Sequence, residues 1–208
     1  MRKIYLIFIP VLVIVLLLTI CILRNLTFKI PFNTRKREVI LPVYSLKWSS
    51  SLNKKQSYNS CASYSSMAFQ YVVSDTVFDP EFINSAITGK MRNNSTYPWG
   101  VTTYLKKQGI NTKIFWFGLF GYNSRANWIK HRIETGVPVI LIVGNRKYLH
   151  YIAILGYSKT CFYIYDPALA IDENGDQVGN ISKSIDEVLV WWKSAFFKVS
   201  HINLAISK

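Results

Sequence analysis

Cys61 stands at the start of a run that reads as a helix, with the cap-type residues Asn59 and Ser60 before it and small and apolar residues at roughly helical spacing after it. A thiol at a helix N-terminus feels the positive end of the helix dipole, which favours the thiolate, the form that acts as a nucleophile. Gln56, shortly upstream, carries a side-chain N–H suited to holding a developing oxyanion. This is a layout for attack on a carbonyl, and it needs a base.

The chain has three histidines. His131 lies on an amphipathic helical stretch between Lys130 and Arg132 and reads as a solvated face residue. His201 falls in a terminal strand with no motif around it and reads as structural. His150 begins the apolar run Leu149 to Tyr157, and the next apolar run, Cys161 to Tyr165, ends at Asp166-Pro167. A short turn at Ser158-Lys159 makes these two strands an antiparallel hairpin whose simple pairing sets His150 across from Asp166. A carboxylate there accepts the imidazole N–H, fixes the tautomer and turns the other ring nitrogen towards a nucleophile. Asp166 as no more than a cap on the turn at Pro167 is the plainer reading, and the register match favours the catalytic one.

The elements that must position these groups follow in order. Val39 to Trp48, broken by Pro42, suggests an edge strand or extended arm. The Cys61 helix runs to about Val73, Asp79-Pro80-Glu81 starts a second helix to Ile87, and Pro98 to Lys107 forms a third, stopped by Gly109. Thr112 to Phe117 reads as a strand, Ser124 caps a helix to Glu134, and the strands Val137–Val143, Leu149–Tyr157 and Cys161–Tyr165 come in quick succession. Ser182 opens a last helix to about Trp192, and Phe196 to Ile206 is the closing strand. Helices first and an antiparallel sheet second is an α+β pattern.

At 208 residues, half of them apolar, the chain has room for one globular domain beside a membrane-length segment. Met1-Arg2-Lys3 precedes an apolar run from Ile4 to Leu23, long enough to span a bilayer. We therefore expect a transmembrane anchor over 1–24, a basic tether over 25–38 and the catalytic domain over 39–208. No small-residue cleavage site follows the run, which favours a retained anchor over a signal peptide. Leu18-Thr19-Ile20-Cys21 has the outline of a lipoprotein box, but Ile20 is too large for the position before its cysteine, so lipidation is not expected. Positive residues are denser after the run than before it, which argues for a cytoplasmic domain. Long domains translocate largely regardless of charge, and an N-terminal basic pair is how export signals begin. We expect an exported domain, with the cytoplasmic face as the alternative.

The net charge of +14 suits anionic neighbours such as lipid head groups or wall polymers. The basic residues are scattered without a stripe interleaved with aromatics, so nucleic acid is not expected as a partner. Three cysteines make no disulfide framework: Cys21 lies in the apolar run, and Cys61 and Cys161 could pair in an oxidising compartment, but Cys61 as a free nucleophile and Cys161 as a buried strand residue is the favoured reading. No metal or cofactor is expected, because no phosphate loop or His/Cys cluster at ligand spacing occurs. Asp172 to Asp176 begins like a calcium loop, but Lys183 stands where the twelfth-position glutamate belongs, and Asn174-Gly175 reads as a hairpin turn. Trp191-Trp192 and Phe115-Trp116-Phe117 read as core, with Trp99-Gly100 a candidate for the substrate cleft.

Together, Gln56, Cys61, the run His150-Tyr151-Ile152-Ala153-Ile154-Leu155-Gly156-Tyr157 and Asp166-Pro167-Ala168 resemble the papain-like cysteine peptidases. The pattern is most similar to the bacterial double-glycine leader peptidases and their stand-alone relatives, over roughly residues 50 to 205. The resemblance implies a papain-like fold with the nucleophile on a helix and the histidine and aspartate on the sheet. It also implies hydrolysis of a peptide or protein substrate through a thioester, with Cys61, His150 and Asp166 as the triad and Gln56 on the oxyanion. Two features depart from the pattern. Four residues separate Gln56 from Cys61 where the family usually has five or more, and Ser60-Cys61-Ala62 replaces the family's common nucleophile surroundings. The leader peptidases proper are often fused to an ATP-driven exporter, which these residues do not include, so a preference for Gly-Gly is not implied. An acyltransferase or amide hydrolase on the same fold, and a catalytically idle peptide-binding domain, are the alternatives.

Overall fold

In a computed structural model, the chain is described over residues 13–16, 28–29, 41–118, 120–145, 148–169, 178–195 and 204–208. Residues 13–16 are helical, and no helix among the described residues is long and apolar enough to cross a membrane. The expected span over 4–23 otherwise lies outside them, as do the Asn174-Gly175 turn and His201.

Among the described residues, eight strands form one sheet. They are β1 (Phe28–Lys29), β2 (Tyr44–Ser45), β3 (Lys113–Trp116), β4 (Val139–Gly144), β5 (Leu149–Tyr157), β6 (Cys161–Tyr165), β7 (Ile181–Ser184) and β8 (Leu204–Ser207). The order is β1-β3-β8-β4-β5-β6-β7, with β2 paired to the far end of β5. Every pairing is antiparallel except β1 with β3, so part of the stretch expected as a structure-poor tether joins the sheet edge.

Among the described residues, five α-helices flank the sheet: α1 (Cys61–Ser74), α2 (Pro80–Ala86), α3 (Pro98–Lys107), α4 (Tyr122–Glu134) and α5 (Ile185–Ser194). β4 is buried along its whole length because its residues alternate between two cores. Ile140 and Ile142 join Met67, Phe69, Val101 and Leu105 under α1 and α3. Val139, Leu141 and Val143 join Trp128, Ile129, Val188 and Trp192 under α4 and α5. A strand covered on both faces reads as a continuous apolar run, which is how Val137 to Val143 appears in the sequence.

Four boundaries differ from expectation. Helix α4 starts at Tyr122, with Ser124 already inside it. Ser182 lies in β7, and α5 starts after Ser184, whose hydroxyl accepts from the Glu187 N–H while Glu187 reaches back to the Ser184 N–H. That reciprocal pair satisfies two donors that would otherwise be orphaned at the helix start. The arm over 39–48 contributes only the two residues of β2, and the closing strand is described only from Leu204.

Candidate active site

Cys61 is the first residue of α1, nearly buried at 9% exposure. Its main-chain N–H belongs to the first turn, where helical donors have no intrahelical acceptor. Ser60 takes the N-cap position, yet its hydroxyl caps nothing and donates instead to the Ser57 carbonyl at 2.8 Å. The loop before the cysteine is pinned from two sides. The Asn59 side chain donates to the Asn93 carbonyl at 2.8 Å, and that of Asn94 to the Tyr58 carbonyl at 3.1 Å. On the other side Glu81 accepts from Ser57 at 2.8 Å and from Tyr64 at 2.9 Å. Burial and that bond push the Tyr64 phenol up to about 12, so it remains a donor.

His150 and Asp166 meet, but not straight across the hairpin. The turn takes in Ser158 to Cys161, and β5 carries a bulge between Ile154 and Gly156. Ala153 therefore pairs with Tyr165, which sets Asp166 opposite Ile152 and diagonal to His150. Diagonal neighbours on one face stay within reach of long side chains. His150 Nε2 lies 2.7 Å from Asp166 Oδ1, with the two residues 7% and 5% exposed. Burial opposes charge on the ring, but hydrogen bonding to Asp166 and to Cys61, and the charges of both, outweigh it and raise His150 to about 9. With Nε2 held by the carboxylate, Nδ1 is the nitrogen left to serve the thiol.

Asp166 is itself held. The same Oδ1 accepts from the Ala168 N–H at 2.9 Å. Asn180, fully buried, accepts from the Asp166 N–H at 2.7 Å and donates to the Asp166 carbonyl at 2.8 Å. The preceding residue must be glycine: Gly179 has φ +83°, and a Cβ there would sit 2.2 Å from the Ile164 carbonyl oxygen. Asn180→Ala leaves the buried Asp166 N–H without a partner, while the Asp166 carbonyl keeps the Leu169 N–H at 3.2 Å, so we expect it to lower unfolding stability in urea by roughly 1–3 kcal/mol. A loss under about 0.5 kcal/mol would remove the clamp from the account.

The remaining expected residues are distributed as follows. Gln56 is half-buried, and its main-chain N–H donates to the Pro167 carbonyl at 2.7 Å, which ties the stretch before Cys61 to the corner after Asp166. Its Oε1 is buried with no hydrogen-bond partner among the described residues. Cys161 is free and half-buried, not buried. Trp192 is core as expected, whereas the ring centre of Trp191 lies 6.1 Å from that of His150. Sequence reasoning missed Asn180 and the place of Trp191 near His150. Neither sits in a motif, and both come to the site through the pairing of β7 and the start of α5.

A buried histidine–carboxylate pair beside a helix-borne thiol fits acyl transfer. Among the described residues no cluster of His, Cys, Asp or Glu fits a metal ion. No protein-family model matches the chain, and no curated protein matches its sequence. Solved structures do match. The crystal structure of a C39-like peptidase from Bacillus anthracis overlaps with a TM-score of 0.53 at 13% identity, over 79% of this chain and 96% of the other. This chain has the C39-like, papain-like cysteine peptidase fold. A second overlap, with the peptidase domain of Streptococcus ComA, a bi-functional ABC transporter involved in a quorum-sensing pathway, has a TM-score of 0.46 at 15% identity. It covers 78% of this chain and 96% of that one. The C39-like fold matches the α+β architecture expected from the sequence.

Proposed function

We propose that the chain is a cysteine peptidase that hydrolyses a peptide bond in a peptide or protein substrate. The observation that carries this reading is the buried 2.7 Å contact between His150 and Asp166 beside Cys61. The Cys61 proton passes to His150 Nδ1, and the sulfur attacks the substrate carbonyl. The Cys61 N–H and the Gln56 amide hold the oxyanion. As the C–N bond breaks, His150 gives its proton to the leaving amine. A water, deprotonated by His150, then attacks the thioester and releases the acid. Asp166 holds the ring and supports its charge throughout.

A peptide library incubated with the protein and read by mass spectrometry tests this. New termini are expected with the wild-type chain and absent with Cys61→Ser, and library cleavage that does not depend on Cys61 contradicts it. An added amine acceptor separates hydrolase from transferase, since only a transferase gives aminolysis products in place of acid.

We further propose that residues 4–23 hold the protein in the membrane with its domain outside the cytoplasm. The long apolar run after a basic start supports this. Protease added to intact cells is expected to remove the domain, and protection until lysis would place it on the cytoplasmic face.

A further inference from the structure

We infer that the substrate carries a bulky uncharged side chain on the acyl side of the scissile bond, rather than a Gly-Gly pair or a charged residue; this rests on the peptidase reading above. A cavity of about 320 Å³ opens beside Cys61. At roughly 30 Å³ per water it holds about ten, more than one large side chain needs. One wall comes from the segment leading into α3, with Met91, Tyr97 and Pro98, and the other from the sheet, with Ile142, Leu149 and Tyr151.

The cavity is preformed. The Tyr151 hydroxyl crosses between the walls and donates to the Thr96 carbonyl at 2.8 Å, so it is already spent. Tyr97 is fixed by stacking on Trp99, with ring centres 4.3 Å apart and planes 8° from parallel. Asn59 on the floor is committed to the Asn93 carbonyl. Tyr148, half exposed, stands at the rim. No charged side chain lines the cavity among the described residues.

Cys61 lines this space and His150 does not. His150 serves the leaving amine, so a cavity that adjoins the sulfur alone receives the segment that stays bonded to it. A lysine or glutamate entering here gives up its water for the neutral polar groups of Asn93, Ser95 and Thr96, with no opposite charge to pair with among the described residues. A glycine leaves the walls uncovered, whereas a leucine, methionine or phenylalanine covers them.

The test is the rate at which peptidyl chloromethyl ketones alkylate Cys61, with Leu, Phe, Gly, Glu or Lys next to the reactive group in one set and one residue further away in a second. Iodoacetamide reports on the thiol alone. We expect the Leu and Phe reagents of one set to react at least about tenfold faster than the Gly, Glu and Lys reagents. Met91 is only half-buried, so Met91→Glu is expected to fold and, with each rate taken relative to that variant's own iodoacetamide rate, to shift the preference towards Lys. Equal rates across both sets, or faster Gly or charged reagents, overturn the cavity assignment while a fast iodoacetamide reaction leaves the nucleophile standing. Iodoacetamide reaction no faster than that of a simple thiol overturns the peptidase reading and this inference with it.

Discussion

Cys61→Ser and His150→Ala are each expected to lower peptide cleavage by roughly 10³-fold or more, with the double variant little worse than either single one. The lack of additivity is the informative part. A sulfur and an imidazole that work as one unit lose their joint effect when either goes, whereas two residues acting separately give multiplied losses. Cys61→Ser changes one atom at a nearly buried position and should leave the unfolding midpoint close to that of the native chain. His150→Ala removes the partner of a buried carboxylate, so its stability should be checked before its activity is interpreted. A double variant whose loss equals the product of the two single losses would argue against a shared step.

Asp166→Asn is expected to be the next most damaging change and to alter the pH profile as well as the rate. In the native chain the His150 proton is retained up to about pH 9 despite burial, because Asp166 and Cys61 favour the charged ring. The sign follows directly. A histidine raised from its ordinary 6.5 to about 9 contributes stability that is complete below about pH 6.5 and is lost as pH rises through about 9. Cleavage should therefore hold to about pH 9 and fall above it. Asparagine keeps the shape but cannot offset the ring's charge, and a neutral amide can present its N–H to the ring and select the wrong tautomer. We expect a loss of roughly 10²–10⁴-fold and an upper limb shifted to lower pH. Rates measured from pH 5 to 10 on both proteins check this. An unmoved upper limb in Asp166→Asn would mean that the carboxylate does not set the charge of His150.

What the sequence shows and what it hides divide along physical lines. Local signals read well: Asp79 accepts from the Glu81 N–H ahead of Pro80, and the tight turn after Tyr157 makes the hairpin that brings His150 towards Asp166. The two-residue offset between them is not legible: the turn takes in Ser158 to Cys161, which moves the centre of the hairpin past Ser158-Lys159, and a bulge within β5 takes back one residue without leaving a mark in an apolar run. The start of α5 is legible in the sequence, at Ser184 and not at Ser182. Ser184 followed three residues later by Glu187 is the capping-box signature, and Ser182 lacks it. Asn180 and Trp191 depend on which elements meet in space. So does Gln56, whose neighbourhood with Asp166 is made by a single main-chain bond to Pro167. No spacing rule foretells such contacts.

At the centre of the account is a sulfur whose proton is held by a neighbouring ring. The rate of iodoacetamide reaction at Cys61, located by peptide mapping so that Cys161 serves as an internal comparison, tests it most directly. At pH 6, where a simple thiol is almost wholly protonated, the account predicts that native Cys61 reacts far faster than Cys161 and that His150→Ala removes the difference. Equal rates at the two cysteines in the native protein, or a fast Cys61 reaction that survives the loss of His150, would contradict it.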